Sequence, residues 1–141
     1  MLWPRFLAKF FLHLCGNRDA PPRLSFLFGW YITTRIPHGI TCKSATAICP
    51  LCREDCEDNF HLFLGCKQVR PIWQNLVEHF GFHFGNYPST FEAIKIWGSM
   101  KKEWRAIPLL ALWGIWKWRN DKVFSSKGDT SSYVTDSIIT L

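Results

Sequence analysis

The stretch Cys49–Cys66, CPLCREDCEDNFHLFLGC, holds four cysteines and one histidine within eighteen residues. The five candidate metal ligands are Cys49, Cys52, Cys56, His61 and Cys66. A tetrahedral site needs four ligands, so one candidate is spare. The C-x2-C pair at the start can present two thiolates to one ion from a tight turn, which Pro50 stiffens. Ligand chemistry alone does not choose among the rest, because Cys56 is as soft a ligand as the others.

Two other interpretations of the cluster stay open at this point. Six cysteines could pair as disulfides, although nothing else in the sequence is typical of a secreted chain. The apolar run 10–15 is too short for a signal peptide, and no N-x-S/T sequon occurs. A redox C-x-x-C site would need a βαβ context, which is missing. Metal binding is therefore the favoured interpretation.

Two stretches after the cluster have the periodicity of amphipathic helices. In the first, Pro71 suits the first turn and Gly81 suits the end. The apolar residues between them are Ile72, Trp73, Leu76, Val77 and Phe80. The second stretch begins at Pro108, and its apolar stripe is Leu109, Leu112, Trp113 and Trp116. With a loop over residues 82–89, the sequence predicts a mostly α fold, a small helical domain built around the Cys/His cluster.

Charge and composition limit the function. The chain of 141 residues has a formal net charge of +6 and a pI of about 9.2. Residues 49–66 hold one arginine against four acids, a net charge of −3, so the cluster is an acidic island in a basic chain. A basic chain modestly favours a polyanionic partner. The longest stretches free of charge and histidine have eleven residues, too few for a membrane span, so we expect an intracellular protein without a membrane partner.

Catalysis by this chain is not expected. A polymerase needs paired carboxylates for two metal ions, and the sequence has no Asp-Asp dipeptide. A ribonuclease H needs several clustered acids, whereas the acids after residue 67 are scattered singly. The sequence therefore predicts a protein that is not an enzyme and takes no small-molecule substrate.

The cluster and its surroundings resemble the zinc-binding domain of plant LINE-type (non-LTR) retrotransposon reverse transcriptases. Three landmarks carry the resemblance, in the family's order. They are PPRLSFLFGWYITTRIP (21–37), CPLC…EDNFHLFLGC…V-x-x-x-W (49–73) and WGIWKWRNDKVF (113–124). The last is similar to the family's W-x-I-W-x-x-R-N-x-x-x-F signature through Trp113, Trp116, Arg119, Asn120 and Phe124. In that family the domain follows the polymerase and precedes a ribonuclease H domain.

The resemblance implies one structural Zn²⁺ and its ligand set. The implied ligands are Cys49, Cys52, His61 and Cys66. Cys56 becomes the spare candidate, because the family has a variable residue there. His61 and Cys66 are five residues apart, which on a straight α-helix puts them about 140° apart around the axis. The helix must therefore break, and Gly65 allows the break. Asp58 replaces the Ser/Thr usual in the family's E-[ST]-x-x-H turn.

Two hypotheses on function follow. In the first, the chain is a non-catalytic zinc-binding module derived from a retrotransposon reverse transcriptase that binds RNA or single-stranded DNA weakly. The candidate contacts are Lys117, Arg119 and Lys122, with Trp116 or Trp118 stacking on bases. In the second, zinc only holds the fold, and the aromatic helices dock a protein such as the polymerase domain. The lysines and Arg119 are then a solvated helix face. An inactive product of a decayed element stays a third interpretation.

The resemblance also divides the chain. Residues 1–19 are an apolar N-terminal extension, residues 20–125 are the zinc-binding domain, and residues 126–141 are predicted to be a polar, frayed tail.

Overall fold

Helices dominate the part of the chain that the computed structural model describes, residues 48–125 and 130–140. They are a π-helical turn (His61–Gly65), α1 (Arg70–Phe80), α2 (Thr90–Gly98), α3 (Lys102–Phe124) and α4 (Ser131–Ile139). Within these ranges, β-type pairing is limited to one bridge between Ile48 and Cys56. The predicted mostly α fold is confirmed. The predicted N-terminal extension and the proline-led segment 21–37 lie outside the described residues.

Helix α1 forms where the apolar periodicity predicts it. Pro71 lies in the first turn, where its missing N–H has no helical partner to lose. The residues that α1 buries are Ile72, Trp73 and Leu76. The helix ends at Gly81, whose φ of +69° is left-handed and suits glycine. The N–H of Gly81 donates to the Val77 carbonyl at 2.7 Å, so one of the last orphan carbonyls of α1 is satisfied.

Helix α2 is one that the apolar pattern alone does not predict. Ser89 caps it, since the Ser89 Oγ accepts a hydrogen bond from the Glu92 N–H at 3.1 Å. A serine three residues before a glutamate is the sequence signature of a capped helix start. The core side of α2 is Thr90, Ala93, Ile94 and Trp97. The capping signature was therefore the signal for this helix.

Helix α3 begins at Lys102, six residues before Pro108, so the predicted start at the proline is wrong. The first turn is held by the Lys101 carbonyl, which accepts from the N–H groups of Trp104 and Arg105 at 2.9 and 3.2 Å. Pro108 is fully buried inside the helix and cannot donate to the carbonyl four residues earlier. Packing of the buried neighbours of Pro108 thus outweighs one lost backbone hydrogen bond.

The apolar face of α3 is rotated from the predicted stripe. Its buried residues include Leu109, Leu112, Ile115 and Trp118. Trp113 and Trp116 are half-buried, and their rings stack with centroids 5.3 Å apart. The stripe drawn from the sequence therefore includes two residues at the margin of the core.

Residues Ser131–Ile139 form α4, although the sequence predicted a frayed tail over 126–141. The reason is a short apolar stripe. Its residues, Val134 and Ile138, are four positions apart, so they lie on the same face of the helix and are buried against α1 and α3. Gly114 permits the close approach of α3 and α4. A Cβ added to Gly114 would lie 2.7 Å from the Val134 Cγ1.

Four aromatic rings fill the core between α1, the following loop and α2. The Trp73 ring stacks on Phe84 and Trp97, with centroids 4.8 and 5.2 Å away. Tyr87 meets Trp97 edge-on at 5.3 Å and accepts a hydrogen bond from its Nε1–H at 3.0 Å. The Trp73 Nε1–H donates to the Phe63 carbonyl at 2.7 Å. Both buried indoles are thus satisfied, and Trp73 ties the π-helical turn to the core.

Candidate metal centre

The C-x2-C segment forms a tight turn closed by backbone hydrogen bonds. The Cys49 N–H donates to the Asp55 carbonyl, and the Arg53 N–H donates to the Cys49 carbonyl, both at 2.8 Å. Arg53 has a φ of +57°, the left-handed conformation that the turn needs after its second cysteine. The hydrogen bond with Cys66 and burial raise the pKa of Cys49, and the backbone N–H groups of Cys52 and Leu51, which point at its sulfur, partly oppose this rise because they stabilise the thiolate. Such amide donors suit a sulfur that binds a cation.

The π-helical turn brings the second pair of candidate ligands together. The Cys66 N–H donates to the His61 carbonyl at 2.6 Å, an i to i+5 bond that widens the turn. Residues five apart, which diverge on a straight α-helix, then lie on the same side. The backbone becomes extended at Cys66, directly after Gly65. The predicted break therefore takes the form of a wide turn that ends at this glycine.

Asp58 starts this turn with its side chain. Its Oδ1 accepts a hydrogen bond from the His61 N–H at 2.7 Å. An aspartate three residues before the bonded N–H acts as a helix cap, a role that Ser and Thr share. Asp58 can therefore cap the turn as the Ser or Thr of the similar motif would.

The four side chains implied by the resemblance converge on one point. One ligand atom from each of Cys49, Cys52, His61 and Cys66 lies within 4.8 Å of all the others. The Cys49 and Cys66 sulfurs are 4.0 Å apart, and the Cys52 sulfur is 3.4 Å from the His61 Nε2. A tetrahedral site with zinc–sulfur bonds of about 2.3 Å has sulfurs about 3.8 Å apart. The donor set and its spacing therefore fit a metal ion.

Burial and electrostatics agree with a closed site. The three cysteines are buried and His61 is half-buried. The hydrogen bond between Cys49 and Cys66 raises the pKa of Cys49, as does its burial, and lowers the pKa of Cys66. The N–H of Gln68 also stabilises the Cys66 thiolate and lowers its pKa. One sulfur of the pair is thus already disposed to be anionic, as a metal ligand must be.

Cys56, the fifth candidate, lies outside this group. It is half-buried and pairs through its backbone with Ile48, at the base of the loop. The free cysteines among the described residues are Cys49, Cys52 and Cys66.

The residues predicted to contact nucleic acid are partly buried or paired in the structure. Trp118 is only 5% exposed, so it offers no face for base stacking. Lys117 pairs with Asp121 at 3.4 Å, and Lys122 is half-buried. Arg119 binds the Glu57 carboxylate. Two of the three cations are therefore paired with acids, and the role of these positions in binding nucleic acid stays a prediction.

The pair of Arg119 and Glu57 is the feature that sequence reasoning missed. The Arg119 Nε and Nη2 donate to the two Glu57 oxygens at 2.6 and 2.9 Å, a bidentate bond between residues 62 apart. The Glu57 side chain is 9% exposed and that of Arg119 is 24% exposed. The bond to Glu57 raises the pKa of Arg119. No spacing rule reveals such a pair; the only signal is that both residues belong to landmarks of the resemblance.

Comparison with protein-family models, with curated proteins and with solved structures gives no match. Among the described residues, no helix combines the length and the apolar character that crossing a bilayer requires.

Proposed function

We propose that this chain is a non-catalytic zinc-binding module of the kind found in LINE-type retrotransposon reverse transcriptases. The convergence of three sulfurs and one imidazole nitrogen within 4.8 Å carries the proposal. Three sulfurs and one nitrogen are a usual ligand set of structural Zn²⁺. Four protein ligands complete a tetrahedral shell, which leaves no position for a substrate. The resemblance over three ordered landmarks supports the same family.

Zinc in this site would stabilise the fold. The ligands come from two local turns, C-x2-C and the π-helical turn, which make few regular backbone hydrogen bonds of their own. In finger peptides, zinc binding supplies roughly 10 kcal/mol or more of apparent folding free energy. The ion would thus fix both turns against the aromatic core.

The proposal is tested by the metal content of the purified full chain in reducing buffer. We expect one zinc per chain, and we expect single Cys→Ser or His61→Ala changes at the four ligands to lose it. Cys56→Ser is the matched control. It removes a cysteine from the same loop, and the reducing buffer opens the disulfide bond of Cys56 in the wild type as well, so the variant should retain zinc. A chain without zinc, or ligand variants that keep it, would overturn the proposal.

Two modes of action remain candidates for this module, weak nucleic-acid binding and protein docking. Trp118 is buried, Lys117 pairs with Asp121, and Arg119 pairs with Glu57. These contacts favour protein docking. The exposure of apolar side chains at the end of α3 supports it as well, since Phe124 is 79% exposed and Val123 is 44% exposed. A polymerase domain is the partner that the resemblance implies.

Filter binding separates the two modes. Wild type and Lys117→Gln/Lys122→Gln are measured with RNA and with single-stranded DNA at two salt concentrations. Binding through three cations predicts a log–log salt slope of magnitude about two to three, reduced in the variant. Protein docking predicts no measurable retention of either nucleic acid. Strong, salt-dependent retention would therefore contradict the docking mode.

A further inference from the structure

Residues 56–59 form a connecting segment between the second and third candidate ligands, and two of its contacts lead directly to the metal centre. The Cys56 backbone pairs with Ile48, which precedes the first ligand. The Asp58 carboxylate accepts a hydrogen bond from the N–H of His61, the third ligand, at 2.7 Å. The position of the connecting segment therefore determines where His61 lies relative to the C-x2-C turn.

The other two residues of the connecting segment anchor it to helices. The Asn59 carbonyl accepts a hydrogen bond from the buried Thr90 hydroxyl of α2 at 3.2 Å. The Glu57 carboxylate accepts two hydrogen bonds from the Arg119 guanidinium of α3, at 2.6 and 2.9 Å. The Glu57 side chain is 9% exposed, so water screens this ion pair only weakly. Charged, bidentate hydrogen bonds are stronger than neutral ones and fix direction as well as distance, so the bond to α3 is the stronger anchor.

His61 is the ligand at which a bound metal ion is most open to attack. The three candidate sulfurs are buried, whereas His61 is half-buried. A chelator must displace one ligand before it takes the ion, and His61 is the one that it reaches first. His61 can move away from the sulfurs only if the connecting segment moves with it, because Asp58 holds its backbone. The bond between Glu57 and α3 opposes this movement.

We infer that Glu57 and Arg119 are positioning residues of the metal centre, whose ion pair holds the connecting segment against α3 and thereby slows the release of the metal ion. This inference rests on the proposed zinc module. The pair acts through the backbone of the segment and not through a net charge, since the two side chains neutralise each other. Breaking the pair should therefore loosen the segment locally, while the helices stay packed.

The test compares the wild-type chain with Glu57→Met/Arg119→Met, both saturated with zinc in reducing buffer. This double variant leaves no unpaired charge, and replacing a buried ion pair by apolar side chains of similar volume is often neutral for stability. We expect zinc release to excess chelator to become about tenfold faster or more, the effect of losing hydrogen bonds between charged groups. Hydrogen exchange of the His61 N–H should accelerate by a similar factor, whereas exchange of the α1 amides should not change.

The matched control is Lys117→Met/Asp121→Met. It removes another partly buried ion pair of α3, at 3.4 Å, but both partners of that pair lie on the helix itself. Its loss cannot free the connecting segment, so zinc release and His61 N–H exchange should equal those of wild type. If Glu57→Met/Arg119→Met does not fold, Arg119→Lys carries the test. Lysine keeps the charge but lacks the planar fork that reaches both Glu57 oxygens, so release should become about threefold faster.

Unchanged zinc release and His61 N–H exchange in the folded test variant would overturn the inference and leave the zinc module intact. An equal acceleration of α1 amide exchange would overturn it as well, because the ion pair would then support overall stability and not the position of the segment. The same holds if the control releases zinc as fast as the test variant. Wild-type protein that binds no zinc would overturn both the inference and the proposed function.

Discussion

At the scale of single residues, the metal loop holds Arg53 in a left-handed backbone conformation, with φ at +57°. For a residue with a Cβ this conformation costs about 1 kcal/mol or more. The turn requires it because the chain must reverse after Cys52 so that the Asp55 carbonyl can accept from the Cys49 N–H at 2.8 Å. The side chain of Arg53 is exposed, so little packing depends on it.

Replacing Arg53 with glycine should therefore stabilise the zinc-loaded protein by about 1 kcal/mol, since glycine adopts positive φ without strain. Urea unfolding at fixed zinc concentration measures the difference. Arg53→Ala is the control, because it removes the side chain but keeps the Cβ and should give no gain. Equal stabilities of the Gly and Ala variants would show that the backbone strain is not the cause.

Sequence reasoning could find the metal ligands, but it could not find the ion pair between Glu57 and Arg119. The residue types and spacing gave five candidates, and the resemblance implied the four that the structure brings together. The capping role of Asp58 was also legible, because Asp, Ser and Thr share it. The Glu57–Arg119 bond depends on how α3 packs on the loop, which no local pattern encodes. From the sequence alone, Arg119 is only a cation on a basic helix face, and its contact with nucleic acid stays a prediction.

At the scale of elements, the contact of α3 with α4 depends on Gly114. A Cβ at this position would lie 2.7 Å from the Val134 Cγ1, well inside van der Waals contact. Valine is stiff about χ1, so the methyl group cannot turn away at little cost. A helix would otherwise gain about 1 kcal/mol from exchanging glycine for alanine.

Gly114→Ala should therefore destabilise the protein by about 1–3 kcal/mol, the usual cost of overpacking. The double variant Gly114→Ala/Val134→Ala should recover part of the loss, because the clash is removed. Urea unfolding of wild type, both single variants and the double variant gives the coupling energy between the two sites. A stabilising Gly114→Ala, or purely additive effects, would show that α3 and α4 do not approach as closely as described.

The elements were predictable to different degrees, for identifiable reasons. α1 combined strong periodicity with Pro71 and Gly81 at its ends, and it formed as predicted. The start of α3 was misplaced because proline is favoured in first turns, whereas here burial keeps Pro108 inside the helix. α4 was missed because its apolar stripe is only two residues long, and its stability comes from packing on α1 and α3.

At the scale of the whole molecule, the metal centre and the aromatic core form one unit. Leu62 and Phe63 of the π-helical turn are fully buried in the same core as Trp73 and Trp97. The Trp73 indole also bonds to the Phe63 carbonyl at 2.7 Å. Loss of the turn's conformation would therefore disturb the environment of the buried tryptophans.

Removing zinc with a chelator in reducing buffer should thus abolish most of the near-ultraviolet circular dichroism from the tryptophans, and the cooperative thermal transition with it. Adding back zinc should restore both signals, which controls for irreversible damage. A protein shown to be metal-free by metal analysis, yet with an unchanged near-ultraviolet spectrum, would show that the core does not depend on the centre.

X-ray absorption at the zinc edge of the purified full chain in reducing buffer measures the ligand shell of the metal centre itself. We expect one zinc per chain with three sulfurs at about 2.3 Å and one nitrogen at about 2.0–2.1 Å. Cys56→Ser should give the same shell, and His61→Ala should not. A shell of four sulfurs, a shell of oxygen ligands or a protein without bound zinc would contradict this expectation.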